Sequence, residues 1–422
     1  MSRKTLKALA VLVALAFLSG PALADNNATS NTTGTGNAST IDQSGDGHNA
    51  DVTQNGDNND SDVDQSAFDN TATVQQLDND SVSVVVQSGN GNEEEQGGGG
   101  GNNANVLQFS TDTSTINQSG NENDATVIQE IANSSDVDQS GDGNTAFVGQ
   151  LGNPDPVNYA NISTIDQSGN DNDAIVRQDD FNESNINQTG DGNSATVDQI
   201  GFVGFDFNGS DVQQSGDDNT ADVDQSGDLN ISTVDQSGDL NQASVNQSGQ
   251  ANGSTVEQFG DNNGANVSQS GTLNSSLVRQ QTDNSALVDQ SGFANSSTIL
   301  QDGNIGNAPS IGNAANVNQS GEWNVANVSQ DDNNTAFVDQ SGVGTDVNPN
   351  TVDISQFNDG DTATATQLIG EGNSIVVEQE QCCSSTPPTG ANNFADALQA
   401  GNNNSTTIIQ LRDSPPPGGG LF

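Results

Sequence analysis

The chain has 422 residues, 57 of them acidic against six Lys and Arg, giving a formal net charge of −51 at pH 7. That balance excludes a phosphate-binding surface, which needs clusters of Lys and Arg. Hydrophobic residues make up 30% and aromatic residues 4%, too little for an ordinary globular core of this size, and composition alone would place the chain among disordered proteins.

In chain order, residues 1–24 read as a signal peptide. Arg3, Lys4 and Lys7 precede an apolar run, Ala8 to Leu18, and Ala22-Leu23-Ala24 is a small-residue cleavage site. The run is short for a membrane span, so the product is expected to be secreted and surface-associated, not membrane-spanning. Residues 25–38 form a polar N-terminal segment. Residues 39–88 carry a repeat whose aliphatic mark falls at Ile41, Val52, Val63, Val74 and Val85, eleven residues apart. A Gly/Glu-rich linker or loop is expected over 89–103. The repeat resumes over 104–380, with a clean run at Val212, Val223, Val234, Val245, Val256, Val267 and Val278. Residues 381–422 are a Cys-Cys and Pro/Gly-rich tail with one repeat-like strand. Periodicity of this kind marks a stacked repeat architecture.

Within a unit the period is two. In Ser39-Thr40-Ile41-Asp42-Gln43, Ser39, Ile41 and Gln43 share one face of a strand and Thr40 and Asp42 the other. Turns such as Gly216-Asp217-Asp218-Asn219 separate the strands with residues that accept positive φ. The expected fold is all-β: a β-solenoid or stacked, cross-β arch of 22-residue strand–turn–strand repeats, with about 15 layers on the periodic template. Longer spacings, as between Val148 and Ile165 or Ile299 and Val317, are expected to be loops at the edge.

One aliphatic side chain per eleven residues falls short of the cost of ordering them. Stacked amides are expected to supply much of the rest. The candidate ladder residues are Gln43, Gln54, Gln65, Gln76, Gln87, Gln139, Gln150, Gln214, Gln225, Gln236, Gln247, Gln258, Gln269 and Gln280. Each layer exposes unpaired backbone above and below. No charged or Pro-rich helical cap is evident at either end, so head-to-tail self-association is the expected outcome.

Catalytic chemistry finds no foothold. His48 is the only histidine and reads as a turn residue. No Lys follows residue 7, no His/Cys cluster offers metal ligands, and carboxylates are too widespread for one pair to stand out. No enzyme activity and no cofactor are expected, and nucleic acid is not an expected partner. Acidic rows suit loosely bound Ca²⁺, although no EF-hand loop or Gly-Gly-x-Gly-x-Asp array is evident. Asp42 and Asp64 would stack in adjacent layers, where like charges ~4.8 Å apart cost up to about 1 kcal/mol in water. Such acids would delay assembly until salt or cations screen them. Cys382 and Cys383, being adjacent and alone, set no disulfide framework.

The segment Ser135-Asp136-Val137-Asp138-Gln139-Ser140-Gly141-Asp142-Gly143-Asn144-Thr145-Ala146-Phe147-Val148-Gly149-Gln150 resembles the curlin repeat of bacterial curli fibres, Ser-x5-Gln-x-Gly-x-x-Asn-x-Ala-x3-Gln, with a Ser-to-Gln gap one residue shorter. Ser163 to Gln178, Ser194 to Gln199 and Asp218 to Gln225 carry parts of the same pattern. The resemblance covers most of residues 39–380. It implies a secreted subunit of functional amyloid in a biofilm matrix, exported through an outer-membrane pore and started by a nucleator subunit. It would place an export signal in residues 25–38. More units than the usual five, the acidity and the Cys-Cys tail depart from that family. The alternative is a monomeric extracellular acidic solenoid, acting as an adhesin or cation-binding surface, which would require capped ends.

Overall fold

The computed structural model describes residues 25–89, 100–152, 160–201, 207–302, 312–331, 333–357, 360–382 and 393–413. The signal segment 1–24, residues 90–99 of the Gly/Glu-rich stretch, Cys383 and residues 414–422 lie outside them. Among the described residues there are 32 strands and no helix. The chain divides into two units, residues 1–208 and 209–422. Each is a parallel β-solenoid whose strands alternate between two sheets, odd-numbered strands in one and even-numbered strands in the other.

In the first unit, strand Asn27–Thr33 pairs with Asn49–Asn55, and Ala38–Asp46 pairs with Asp60–Phe68, all parallel. Like residues therefore stack on like. Ile41, Val63, Val85 and Ile116 form one column, and Val52, Val74, Val106 and Val127 form its counterpart in the other sheet. Val52, Val63, Val74, Val85 and Ile116 are fully buried. Alternation of buried and exposed positions runs through nearly every strand, as in Asp60–Phe68. It follows from the two-residue pleat and sends Asp and Thr outward.

The second unit repeats the plan. Val223, Val245, Val267, Val288 and Val317 stack in one sheet, and Val212, Val234, Val256, Val278 and Ile299 in the other. Twenty-two-residue and twenty-one-residue layers coexist, since Val245 pairs with Val267 but Val267 with Val288. The missing residue is lost from a turn, so the strand register holds. Insertions behave the same way: Val137 pairs directly with Ile165, and Ile299 with Val328.

The Gly of the Ser-Gly step is a steric requirement of stacking. At Gly141 the backbone has φ +102°, and a Cβ would meet the carbonyl oxygen of Gly169 in the next layer at 2.0 Å. Glycine avoids that clash, and Ala67, stacked between Gly45 and Gly89 at φ 80°, is an exception.

Several boundaries differ from the sequence reading. Strand Asn27–Thr33 lies inside the polar segment 25–38, ahead of the first recognised repeat. Its inward positions are Ala28, Ser30 and Thr32, so neither an aliphatic residue nor a glutamine marks it. The stretch 89–103 is shorter as a connection, because Gly89 ends one strand and Asn103 begins the next. The tail contains two strands, Phe394–Gln399 and Ser405–Asp413, where one was expected. In Phe394–Gln399, alanine occupies the aliphatic position.

Candidate functional site

The interior of each layer is half amide. Gln43 donates through Nε2 to Gln65 Oε1 at 2.9 Å, Gln65 to Gln87 at 2.8 Å, Gln87 to Gln118 at 2.8 Å and Gln118 to Gln139 at 2.8 Å. In the facing sheet Gln54 donates to Gln76 at 2.9 Å, Gln76 to Gln108 at 3.0 Å, and Gln129 to Gln150 at 2.8 Å. The second unit has the same two ladders. One carries Gln214, Gln236, Gln258 and Gln280, each donating to the next; the other runs from Gln225 through Gln247 to Gln269.

The second amide hydrogen crosses the arch. Gln65 reaches Asn49 O, Gln76 reaches Asp60 O and Gln87 reaches Thr71 O, at 2.9–3.3 Å. An interior glutamine thus accepts one bond and donates two, which lets a polar side chain sit at zero exposure. The same ladders contain Gln108, Gln118, Gln129, Gln167 and Gln178, which carry the identical aliphatic-x-Gln signal outside the clean eleven-residue runs.

A second ladder was missed by sequence reasoning. The Asn that closes each turn is buried, and its Oδ1 accepts the backbone N–H of its counterpart one layer on. Asn123 N donates to Asn102 Oδ1 at 3.1 Å and Asn144 N to Asn123 Oδ1 at 3.0 Å. Asn123 Nδ2 also donates to Ser119 O and Gly141 O, tying its own turn to the next. The signal was the Asn four residues before each aliphatic mark.

Among the described residues His48, Ser81, Asp112 and Asp361 stand in place of that Asn. His48 lies in the turn between Ala38–Asp46 and Asn49–Asn55 and is buried there, 1% exposed. It stands where the column has Asn, and Nδ1 accepts the Asn70 N–H at 3.2 Å while Nε2 lies 3.3 Å from Ser44 O. Nδ1 must then be the acceptor nitrogen, which leaves the proton on Nε2 facing the carbonyl. Asp112 takes the place of Asn in the other column. It accepts N–H groups of Phe109, Ser110 and Asn133, and burial raises its carboxyl above the ordinary range against those stabilising bonds.

The outer faces are electrostatically loaded. Asp42 stacks on Asp64 and Asp138 on Asp166. Partial burial, then Asp42 and Asp62, raise the carboxyl of Asp64; burial, then Asp138, raise that of Asp166. Burial and Asp211 do the same to Asp235. Arg177 and Arg279 interrupt acidic rows, pairing with Asp198 at 3.0 Å and Glu257 at 3.6 Å, one layer away in each case. Among the described residues no group of three or more His, Cys, Asp or Glu is arranged to hold a metal ion.

The two end layers leave different groups bare. At the N-terminal end Gln43 donates to Gln65 and to Asn27 O, and among the described residues nothing donates to its Oε1. Asn37 Oδ1 accepts from Asn59 N, while the N–H of Asn37 has no acceptor. At the C-terminal end Gln410 accepts from Gln379 and donates to Phe394 O at 2.7 Å. Its other amide hydrogen is unused. Asn404 N donates to Asn373 Oδ1, and among the described residues no donor reaches the Oδ1 of Asn404. The other ladder is covered by Thr32 at its first end and hydrogen-bonded only at its last. Thr32 stands in register with Gln54, whose Oε1 is buried without a partner, and Gln399 turns its amide onto Thr406 Oγ1 at 2.8 Å.

The family model of the curlin associated repeat matches residues 49–77, 216–249, 232–260, 238–271 and 282–307. No curated protein matches the chain.

Proposed function

This chain belongs to the curlin-repeat family, and we propose that it is a secreted structural subunit that polymerises head to tail into extracellular, curli-like amyloid fibres for matrix and adhesion. The observation that carries this reading is the complementarity of the two ends. One end offers an acceptor at Gln43 and a donor at Asn37; the other offers a donor at Gln410 and an acceptor at Asn404. Laying Ser405–Asp413 of one copy on Ala38–Asp46 of another, in the register used throughout, sets Ile408 over Ile41 and Gln410 over Gln43. Two open sheet edges on each end then gain backbone partners.

In this role the protein is building material, with no catalytic duty. A nucleator subunit and an outer-membrane pore are its proposed partners beside itself. The stacked carboxylates act as gatekeepers, holding copies apart until salt or divalent cations screen them. Loosely held Ca²⁺ belongs to this proposal as one such cation.

The test is seeded growth with end-blocked chains, Gln43→Leu and Gln410→Leu. The wild type should elongate from preformed seeds, and each variant should add to seeds at a reduced rate through its altered end. Wild-type chains that stay monomeric and β-rich with or without seeds, salt and Ca²⁺ would contradict the reading and favour a monomeric adhesin.

A further inference from the structure

One turn edge of the second unit has three successive layers without a charged side chain, in a chain of net charge −51. The left-handed position of consecutive turns is occupied by Leu229, Ala251, Leu273, Ala294 and Trp323, with φ between 53° and 59°. They are locked one above another: Ala251 N donates to Asp228 O, Leu273 N to Gln250 O, Ala294 N to Thr272 O and Trp323 N to Phe293 O, at 2.8–3.0 Å. Leu229 and Leu273 are half exposed. Phe293 packs edge-on against Trp323, with ring centroids 5.7 Å apart. The column just before it runs Asp228, Gln250, Thr272, Phe293 and Glu322 in register, so its three middle layers present no charge and a carboxylate stands at each end. On the opposite turn edge of the same unit the column just before the left-handed residues carries Asp217, Asp239 and Asp261.

Branched and aromatic residues are poorly suited to positive φ. Elsewhere that position is often Asn or Asp, as at Asn58, Asp80, Asn262 and Asn403, although Leu240 takes it on the opposite edge. Leucine and tryptophan there carry backbone strain that Asn would not.

We propose that this edge is a lateral contact between two copies of this chain lying side by side in neighbouring fibres, an inference that rests on the polymerisation reading above. Charge selects the occupant, since two copies this acidic can approach closely only where neither carries carboxylates. Shape agrees with it. Large and small side chains alternate by layer, so the edge is complementary to itself about a two-fold axis set between the Ala251 and Leu273 layers. Area says where the contact acts. The uncharged stripe, three layers long and two side chains wide, buries about 300 Å² in total, well under the roughly 1,200 Å² of a stable pair. Single copies should not dimerise through it. Repetition along two fibres makes it hold.

The test is the variant Leu229→Asn/Leu273→Asn, because Asn already occupies this position in other turns and suits its backbone. Seeded elongation is followed by thioflavin fluorescence, and filament pairing by electron microscopy in salt. Unchanged elongation with at least a fivefold drop in paired filaments is expected. Variant filaments that pair like wild type would overturn the proposal. So would wild-type filaments that remain single, including any that float with phosphatidylcholine vesicles, which would assign the edge to a lipid surface. Failure of wild-type seeding is a separate readout; it removes the polymerisation reading and this contact with it.

Discussion

The ring of His48 accepts the backbone N–H of Asn70 through Nδ1 at 3.2 Å, across one layer, as the side-chain carbonyls of Asn102, Asn123 and Asn144 do further along the same column. The substitution keeps the acceptor but loses a bond: Asn144 reaches both Ser140 O and Gly169 O through Nδ2, whereas the ring nitrogen of His48 has only Ser44 O. His48→Asn should therefore stabilise the first layers by about 1 kcal/mol. His48→Leu should cost about 1–3 kcal/mol, because it strands a buried N–H. Guanidinium midpoints of the assembled chain check both, and a lower midpoint for His48→Asn would show that the ring is better packed than the amide.

An interior rung of the glutamine ladder is irreplaceable by a hydrocarbon of similar size. Gln118→Leu removes an acceptor for Gln87 and donors to Gln139 Oε1 and Asn103 O. Three buried groups lose a partner, so destabilisation of about 3 kcal/mol or more is expected. A change under about 1 kcal/mol would mean that the ladder contributes little beyond filling space.

Serine behaves oppositely at the small-residue position. The hydroxyls of Ser83, Ser114 and Ser163 are buried with no partner, while the facing sheet has Ala at the equivalent place, as at Ala72 and Ala174. Ser163→Ala should be neutral or stabilising by about 1 kcal/mol, and Ala174→Ser should destabilise. Paired denaturation curves decide it, and a clear loss in Ser163→Ala would reveal a hydrogen bond or bridging water at that hydroxyl.

Acidity should strengthen the fold. The carboxyls of Asp64, Asp136, Asp166 and Asp235 are raised above 3.8 by burial first and neighbouring aspartates second. A raised folded value means the folded state binds protons more readily than the unfolded one. The resulting stabilisation is complete below about pH 3.8 and is lost as pH rises through the folded values. Assembly should accordingly be faster in mild acid than at neutrality, and Asp64→Asn should lessen that pH dependence. Assembly rates that fall on mild acidification would reverse the assigned sign.

The frame of the fold is written in the aliphatic-x-Gln spacing, because a parallel in-register stack demands the same residue at the same height in each layer. Ile41 over Val63 over Val85 follows from that alone. The Asn column was visible as letters but read as turn chemistry, since a residue tolerant of tight turns and a residue able to donate and accept along a column are both Asn. Strand Asn27–Thr33 was hidden because an end layer, buried on one side only, tolerates Ser30 and Thr32 where interior layers need Val and Gln. The apolar turn edge was hidden for a different reason. Leu229, Leu273 and Trp323 lie far apart in the chain, and only stacking brings them into one stripe. Likewise, the eleven-residue count passed over Gln118 and Gln129 although their local pattern is intact, because a turn shortened by one residue shifts the count without shifting the register.

The measurement that bears most directly on the central claim is a thioflavin time course on the purified chain, with and without sonicated fibres of the same chain, at low and at moderate salt. The account predicts a lag that seeds abolish and salt shortens, with fibres that sediment and show cross-β spacings. A chain that remains a single β-rich species in every condition, seeded or not, would contradict head-to-tail assembly through the Gln43 and Gln410 ends.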